Sequence, residues 1–436
     1  MTRCISVFSA ITLSAHAFAL DITGTIYNED EIPVQGAMVK VYTAKPRVGQ
    51  GVLCPSCYLD CAKRDTTKAD GTFTLPDVDP SLLFKLLIVE ENYTPQFIEN
   101  TDPELGPVLA KLVARDPERL KTGHVLRGRV LNPQGKPVAG AVIEPFAIHF
   151  ENSTRFGGLD GIDALAATNA EGVFMITSEK PGVKLSVSVE ATGLAKKNFP
   201  ELAAGDKTHD LSLQFGSTVT GKVLNNGKPV AGVSMGITQT SHASDTFLGE
   251  MEVATGSDGT FVFANVPSQF EYTVYSQLST PIEDGVVREK ILRIDKENDI
   301  LDVGVLETQR GHTVTGRIVL SDGAQVPEGT KVMFSRERAW DWAMAEVDPQ
   351  GNFTIKNLPR EEYSVTCNVP DYHLSEKNYS LDPLNQNGLM GVIESDIENL
   401  TLLFEPGKWE WKQSSPESTK QYLQLKTEPI RGADES

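Results

Sequence analysis

The sequence has little cysteine, tryptophan or histidine: five, four and seven in 436 residues. Positive charge is also scarce, with 40 Lys and Arg against 59 Asp and Glu and a formal net charge of −19. Such a surface repels phosphate backbones, and no Lys/Arg-rich stretch overcomes it, so nucleic acid is not an expected partner. Beyond the N-terminal segment, no run approaches the roughly 18 uninterrupted apolar residues of a spanning helix. HExxH, Walker and Gly-rich dinucleotide patterns are missing in any suitable context, which leaves no positive sign of an enzyme. "GVSMG" at Gly232 to Gly236 does match G-x-S-x-G. That chemistry needs a serine on a strand-to-helix turn, whereas Ser234 aligns with Val142 of a repeated strand and reads as a chance match. Helical periodicity is nearly absent, and a 40% hydrophobic, 23% charged composition excludes a disordered or fibrous chain.

What is present begins with "MTRCISVFSAITLSAHAFALDITG": Arg3, an apolar run from Cys4 to about Ala15, then Ala17-Phe18-Ala19 as a cleavage signal. Residues 1–19 are expected to direct export and be removed, leaving Cys54, Cys57, Cys61 and Cys367 where disulfides persist.

Four segments then open with the same Gly-x-Val/Ile device, at Gly24, Gly128, Gly221 and Gly316, spaced 104, 93 and 95 residues apart. A period this long means tandem domains, each with its own core, and not a short-repeat solenoid. A turn and second strand follow ("EIPVQGAMVKVY", "GKPVAGAVIEPF", "GKPVAGVSMGIT", "AQVPEGTKVMFS"). Next come an acidic or amide turn with Gly and Phe ("KADGTFTL", "NAEGVFMI", "SDGTFVFA", "DPQGNFTI") and Val-rich alternating runs. Period-two patterning between turns predicts an all-β chain of four tandem antiparallel β-sandwiches, each with a Greek-key-like layout.

At "GRVLNPQGKPVAGAVI" with "NAEGVFMI", and "GKVLNNGKPVAGVSMGI" with "SDGTFVFANVP", the chain resembles the carboxypeptidase regulatory-like domain. That domain is a transthyretin-like sandwich grouped by fold with starch-binding-like modules. The resemblance covers about residues 20 to 408 and is loosest in the fourth unit, where "SDGAQVPEGTKV" replaces the compact turn. It implies a bacterial protein, which makes the five N-x-S/T sequons, Asn92 and Asn152 among them, incidental. The expected organisation is a signal peptide at 1–19 and regulatory-like domains at 20–118, 122–216, 217–309 and 310–408, followed by a polar, disordered tail at 409–436. Such modules accompany proteins of many kinds, so function rests on sites and not on the fold.

Unit one is longest between its second-strand Gly and its acidic-turn Gly, with 35 residues against 32, 27 and 22 in the later units. Its excess holds "CPSCYLDC", Cys54, Cys57 and Cys61. Long loops on a rigid sandwich are where interaction residues tend to sit. Three soft ligands at this spacing suit one tetrahedral metal ion, but no fourth is selected locally. A redox role needs a CxxC opening a helix in a βαβ unit, and the surrounding pattern is β. A disulfide, most simply of Cys54 or Cys57 with Cys61, pins the loop and stabilises it by about 2 kcal/mol. No cofactor is expected unless that loop holds a metal. Cys367 shares the alternating face of Tyr363, Val365 and Val369 and reads as a core thiol. The comparable loop of unit two, "HFENSTRFGGLDGIDALAATN", is Gly-rich and acidic with room for one helical turn.

All four tryptophans fall in W-x-W pairs, Trp340/Trp342 and Trp409/Trp411. On a strand, residues two apart share a face, so Trp340 and Trp342 either form a platform for a sugar or hydrophobic peptide or line the core of unit four. The sequence thus reads as a non-catalytic, exported, periplasmic, cell-surface or secreted binding or spacer protein. Its partner would be a protein or glycan at the cell surface. Carbohydrate binding through Trp340 and Trp342, and metal or thiol chemistry through Cys54, Cys57 and Cys61, are the alternatives.

Overall fold

A computed structural model describes residues 20–47, 63–157, 159–242, 246–279, 285–375, 379–385 and 387–407. The described residues are all-β: eight sheets in four consecutive pairs along the chain, each pair packed as a sandwich. Three hydrophobic clusters, one within Ile22–Leu112, one within Leu126–Leu213 and one within Val219–Leu306, fill the first three sandwiches. In the fourth, Val314, Phe334, Phe353, Tyr363, Val365 and Phe404 are buried. The described residues up to Arg310 form one compact unit together with Arg338–Asp341; Gly311–Glu337 and the described residues from Trp342 onward form another.

The repeated motif has a direct steric meaning. The glycine of each opening strand lies opposite the phenylalanine after the acidic turn: Gly24 faces Phe73, Gly128 faces Phe174, Gly221 faces Phe261 and Gly316 faces Phe353. A Cβ on Gly128 would lie 2.4 Å from the Phe174 ring, and one on Gly316 2.3 Å from the Phe353 ring. Each ring therefore occupies the space that a side chain on its glycine would need. The turn before the ring is equally constrained. Asp258 accepts from the Thr260 amide and hydroxyl, Gly259 takes φ +80°, and its carbonyl receives the Val223 amide at 2.9 Å. The left-handed conformation is what Gly adopts without a steric penalty.

Within this layout one pairing per sandwich is parallel, where the first strand meets the last: Gly24 beside Val108, Gly128 beside His209, Val219 beside Leu301 and Gly316 beside Leu400. The remaining pairings are antiparallel, and alternation is plain in Ser217–Asn225, where every second residue up to Val223 is buried. Unit two's acidic loop forms the short strand Thr154–Phe156 and no helical turn among its described residues. Among the described residues the short helices are instead two 3₁₀ turns, Pro117–Leu120 and Thr122–His124, between the first and second sandwiches. Asp116 caps the first of them by accepting the Glu118 amide.

A buried threonine clamps the compact turn of three sandwiches. Thr67 donates to the Val34 carbonyl and accepts from the Ala37 amide; Thr168 joins Val138 and Ala141, and Thr255 joins Val230 and Val233, in the same way. The fourth sandwich has Val347 at this position, and there Thr330 donates within its own turn to the Pro327 carbonyl.

Candidate functional site

The strand Ser234–Gln239 lies between Glu250–Ala254 on one side and Phe270–Ser276 on the other. Gly236 stands opposite both Glu252 and Tyr275. A Cβ there would meet a Glu250 oxygen at 2.5 Å and the Tyr275 ring at 2.7 Å, so glycine admits a phenol and a carboxyl over the middle of the sheet. The Tyr275 hydroxyl donates to Glu250 Oε1, and the Gln277 side-chain amide reaches Glu250 at 2.6 Å and Glu252 at 3.0 Å. Residues Arg338–Asp341 complete the group. The Trp340 amide donates to the Tyr275 hydroxyl at 3.1 Å, and Asp341 accepts the Leu278 amide at 2.9 Å. The Trp340 indole packs against Phe247 at 4.7 Å and edge-on to His242 at 5.1 Å.

Burial, with the charges of Glu252 and Asp341 added, pushes the Glu250 carboxyl up to about 8. Burial and Asp341 likewise raise Glu252, while burial and the Glu250 charge raise the Tyr275 phenol. Near neutral pH Glu250 is therefore largely a neutral carboxylic acid, able to donate as well as accept a hydrogen bond. Trp340, whose backbone amide meets the Tyr275 hydroxyl, stays 44% exposed. An exposed indole can stack on a sugar ring, and carboxyl and amide groups such as those of this cluster can bond its hydroxyls.

Trp340 lies in a bend ahead of the strand Trp342–Glu346, so the period-two argument does not apply to the pair. Trp342, 49% exposed, belongs to the other compact unit, where Met344 shares its side of the strand. Neither indole lines a core. Cys54, Cys57 and Cys61 lie outside the described residues, as do Trp409 and Trp411. Cys367 is buried, and burial pushes its thiol up to about 12. Ser234 opens a sheet strand and has no helix behind it. Among the described residues no group of three His, Cys, Asp or Glu is arranged to hold a metal ion, and no helix is long and apolar enough to cross a membrane.

Sequence reasoning picked out Trp340 but missed Glu250, Glu252, Tyr275 and Gln277. One signal was available: a glycine inside an alternating strand marks a close approach, and Gly236 is such a glycine. The approaching residues come from two other strands, which a single-strand pattern does not identify.

No family model matches the sequence, and no curated protein does. Solved structures of similar architecture include the Bacillus anthracis TIE protein, at 11% identity over 91% of this chain and 76% of that one, TM-score 0.19. They also include GBS52, the minor pilin of Streptococcus agalactiae, at 14% identity over 46% and 100%, TM-score 0.24. A third is BcpA, the major pilin subunit of Bacillus cereus, at 8% identity over 66% and 99%, TM-score 0.20. Similarities this distant carry no argument about what the present chain does.

Proposed function

We propose that the chain is an exported, non-catalytic binding protein of the cell envelope, built from four regulatory-like sandwiches over 20–118, 122–216, 217–309 and 310–408. Its ligand surface is the patch around Trp340. Support for export comes from Arg3, the apolar run and Ala17-Phe18-Ala19. One observation carries the binding reading: a half-exposed indole whose backbone amide is bonded into a cluster of a neutral carboxylic acid, a second carboxyl and an amide. That combination favours a polyhydroxylated ligand, hence a glycan, over a charged one. Titrating soluble envelope glycans into the full mature protein while following tryptophan fluorescence tests this. Trp340→Ala should abolish the response and Trp342→Ala should leave it unchanged. A response lost equally in both variants, or absent with every glycan, defeats the reading.

The cysteine loop supplies a second, separate reading, in which a disulfide within Cys54–Cys61 pins a partner-facing loop. Elemental mass spectrometry and thiol titration on one metal-free preparation decide it. Two oxidised thiols and no metal fit the staple, whereas one metal per chain with all thiols reduced makes the loop a metal site.

A further inference from the structure

The first and second sandwiches enclose a cleft of about 650 Å³, inside the range of small-ligand sites. Met38 and Val89 from the first sandwich, with Ala166 and Ala167 from the second, give it an apolar lining. All but Ala166 also belong to the seam that joins the two sandwiches, where they pack with Leu87, Val142 and Leu165.

The seam is held by polar contacts as well. Arg115 pairs with Asp163 at 2.5 Å with both side chains almost fully buried, and Asp163 also accepts from the Thr177 amide and hydroxyl. Lys40 donates to the Gly140 carbonyl at 3.2 Å, Arg64 to that of Ala139 at 2.7 Å and Arg119 to that of Gly161 at 2.6 Å. These contacts pre-form the cleft.

Most polar groups on its walls are committed to local structure. Asp65 accepts the Thr66 and Thr74 amides, Glu90 those of Asn92, and Asn169 those of Glu171 and Val173. Arg127 differs. It is half-buried on the strand Val125–Leu131 and lines the cleft, and its side chain makes no hydrogen bond or ion pair among the described residues. Its strand neighbour Arg129 is paired with Asp210. In a chain with 59 acids against 40 bases, a guanidinium that faces a cleft and is paired with no carboxylate among the described residues stands out, and guanidinium is the group best suited to a bidentate carboxylate.

We propose that this cleft is a binding site for a ligand that places one carboxylate on Arg127 and an apolar body along Met38, Val89 and Ala167. The acids around the same cleft, Asp65, Glu90, Glu91 and Glu171, disfavour multiply charged anions such as phosphate esters, so a single carboxylate is the fitting charge. A free carboxylic acid and the C-terminus of a peptide both supply that chemistry. The site is independent of the Trp340 patch and of the reading given to it.

The test uses full mature protein and isothermal titration with three probes: 4-phenylbutyrate, a short Leu-Phe-terminated peptide with a free C-terminus, and the same peptide amidated. Millimolar or tighter binding of either acid is expected, with the amide at least about tenfold weaker, the ratio that loss of a charged hydrogen bond gives. Binding of the peptide acid alone assigns a peptide terminus; binding of both acids assigns a general carboxylate site. Arg127→Met should weaken the acids by a similar factor and Arg127→Lys by less. Equal binding of acid and amide, or no binding of any probe to the wild type, overturns the proposal without relying on a variant to fold. Undiminished binding of the acids by Arg127→Met overturns it as well.

Discussion

Glu250→Gln is the substitution that most directly probes the third sandwich. The carboxyl titrates near its ordinary value of 4.5 in the unfolded chain and near 8 in the folded one. Between those values the folded state holds a proton that the unfolded state has released. The stability this group contributes is therefore fully present below about pH 4.5 and lost as pH rises through 8. A single carboxyl with that difference carries at most roughly 4 to 5 kcal/mol across the window. Glutamine imitates the neutral acid: its carbonyl can still accept from Tyr275, and it has no charge to place beside Glu252 and Asp341. The variant should match the wild type within about 1 kcal/mol at pH 5 and exceed it by about 2 to 4 kcal/mol at pH 9. Urea unfolding at pH 5, 7 and 9, followed by tryptophan fluorescence, measures this. Parallel pH profiles for the two proteins would show that Glu250 ionises normally and that the cluster does not hold it neutral.

Three further substitutions test the fold. Gly128→Ala sets a methyl 2.4 Å from the Phe174 ring and should cost about 1 to 3 kcal/mol in thermal unfolding, part of it recovered by Phe174→Leu in the same chain. Thr255→Val removes the bonds to Val230 and Val233 and leaves buried backbone groups unpaired; the expected loss is about 2 to 3 kcal/mol by chemical denaturation, and an unchanged midpoint would argue against the clamp. Glu361→Gln breaks a bidentate pair, at 2.6 and 2.7 Å, whose partner Arg336 is fully buried. It should cost about 3 to 5 kcal/mol in calorimetry, and Arg336→Met with Glu361→Leu should recover most of that.

The fold was legible because its determinants are local and repeated. Gly128 and Phe174 are far apart in sequence, yet each sits in a motif that recurs four times, and repetition marks both as necessary. The threonine clamp was equally available: Thr67, Thr168 and Thr255 each stand four residues before a turn glycine, and the fourth unit, which lacks the compact turn, has Val347 there. The parallel pairing of first and last strands was not legible, since alternation reads the same in either strand direction. Nor was the Trp340 cluster. A bend, where the sequence suggested a strand, detaches Trp340 from Trp342, and Glu250, Tyr275 and Asp341 come together only in three dimensions.

An acidic chain has two ways to bury a carboxyl, and this protein uses both. Asp163 and Glu361 lie against guanidinium groups, Arg115 and Arg336, with all four side chains close to fully buried. The groups acting on Glu250 are Tyr275, Glu252, Gln277 and Asp341, and none of them is a cation. Burial there favours the protonated form. The same chemical change, carboxyl to amide, is therefore predicted to have opposite signs at two positions of one chain. At Glu361 it abandons a buried guanidinium and destabilises; at Glu250 it removes a charge that the site disfavours and stabilises at alkaline pH. Net charge does not distinguish the two positions; the presence or absence of an arginine does. The third sandwich then carries a pH response of its own, and at neutral pH it keeps largely a carboxylic acid, not a carboxylate, in the hydrogen-bonded cluster that the Trp340 amide joins.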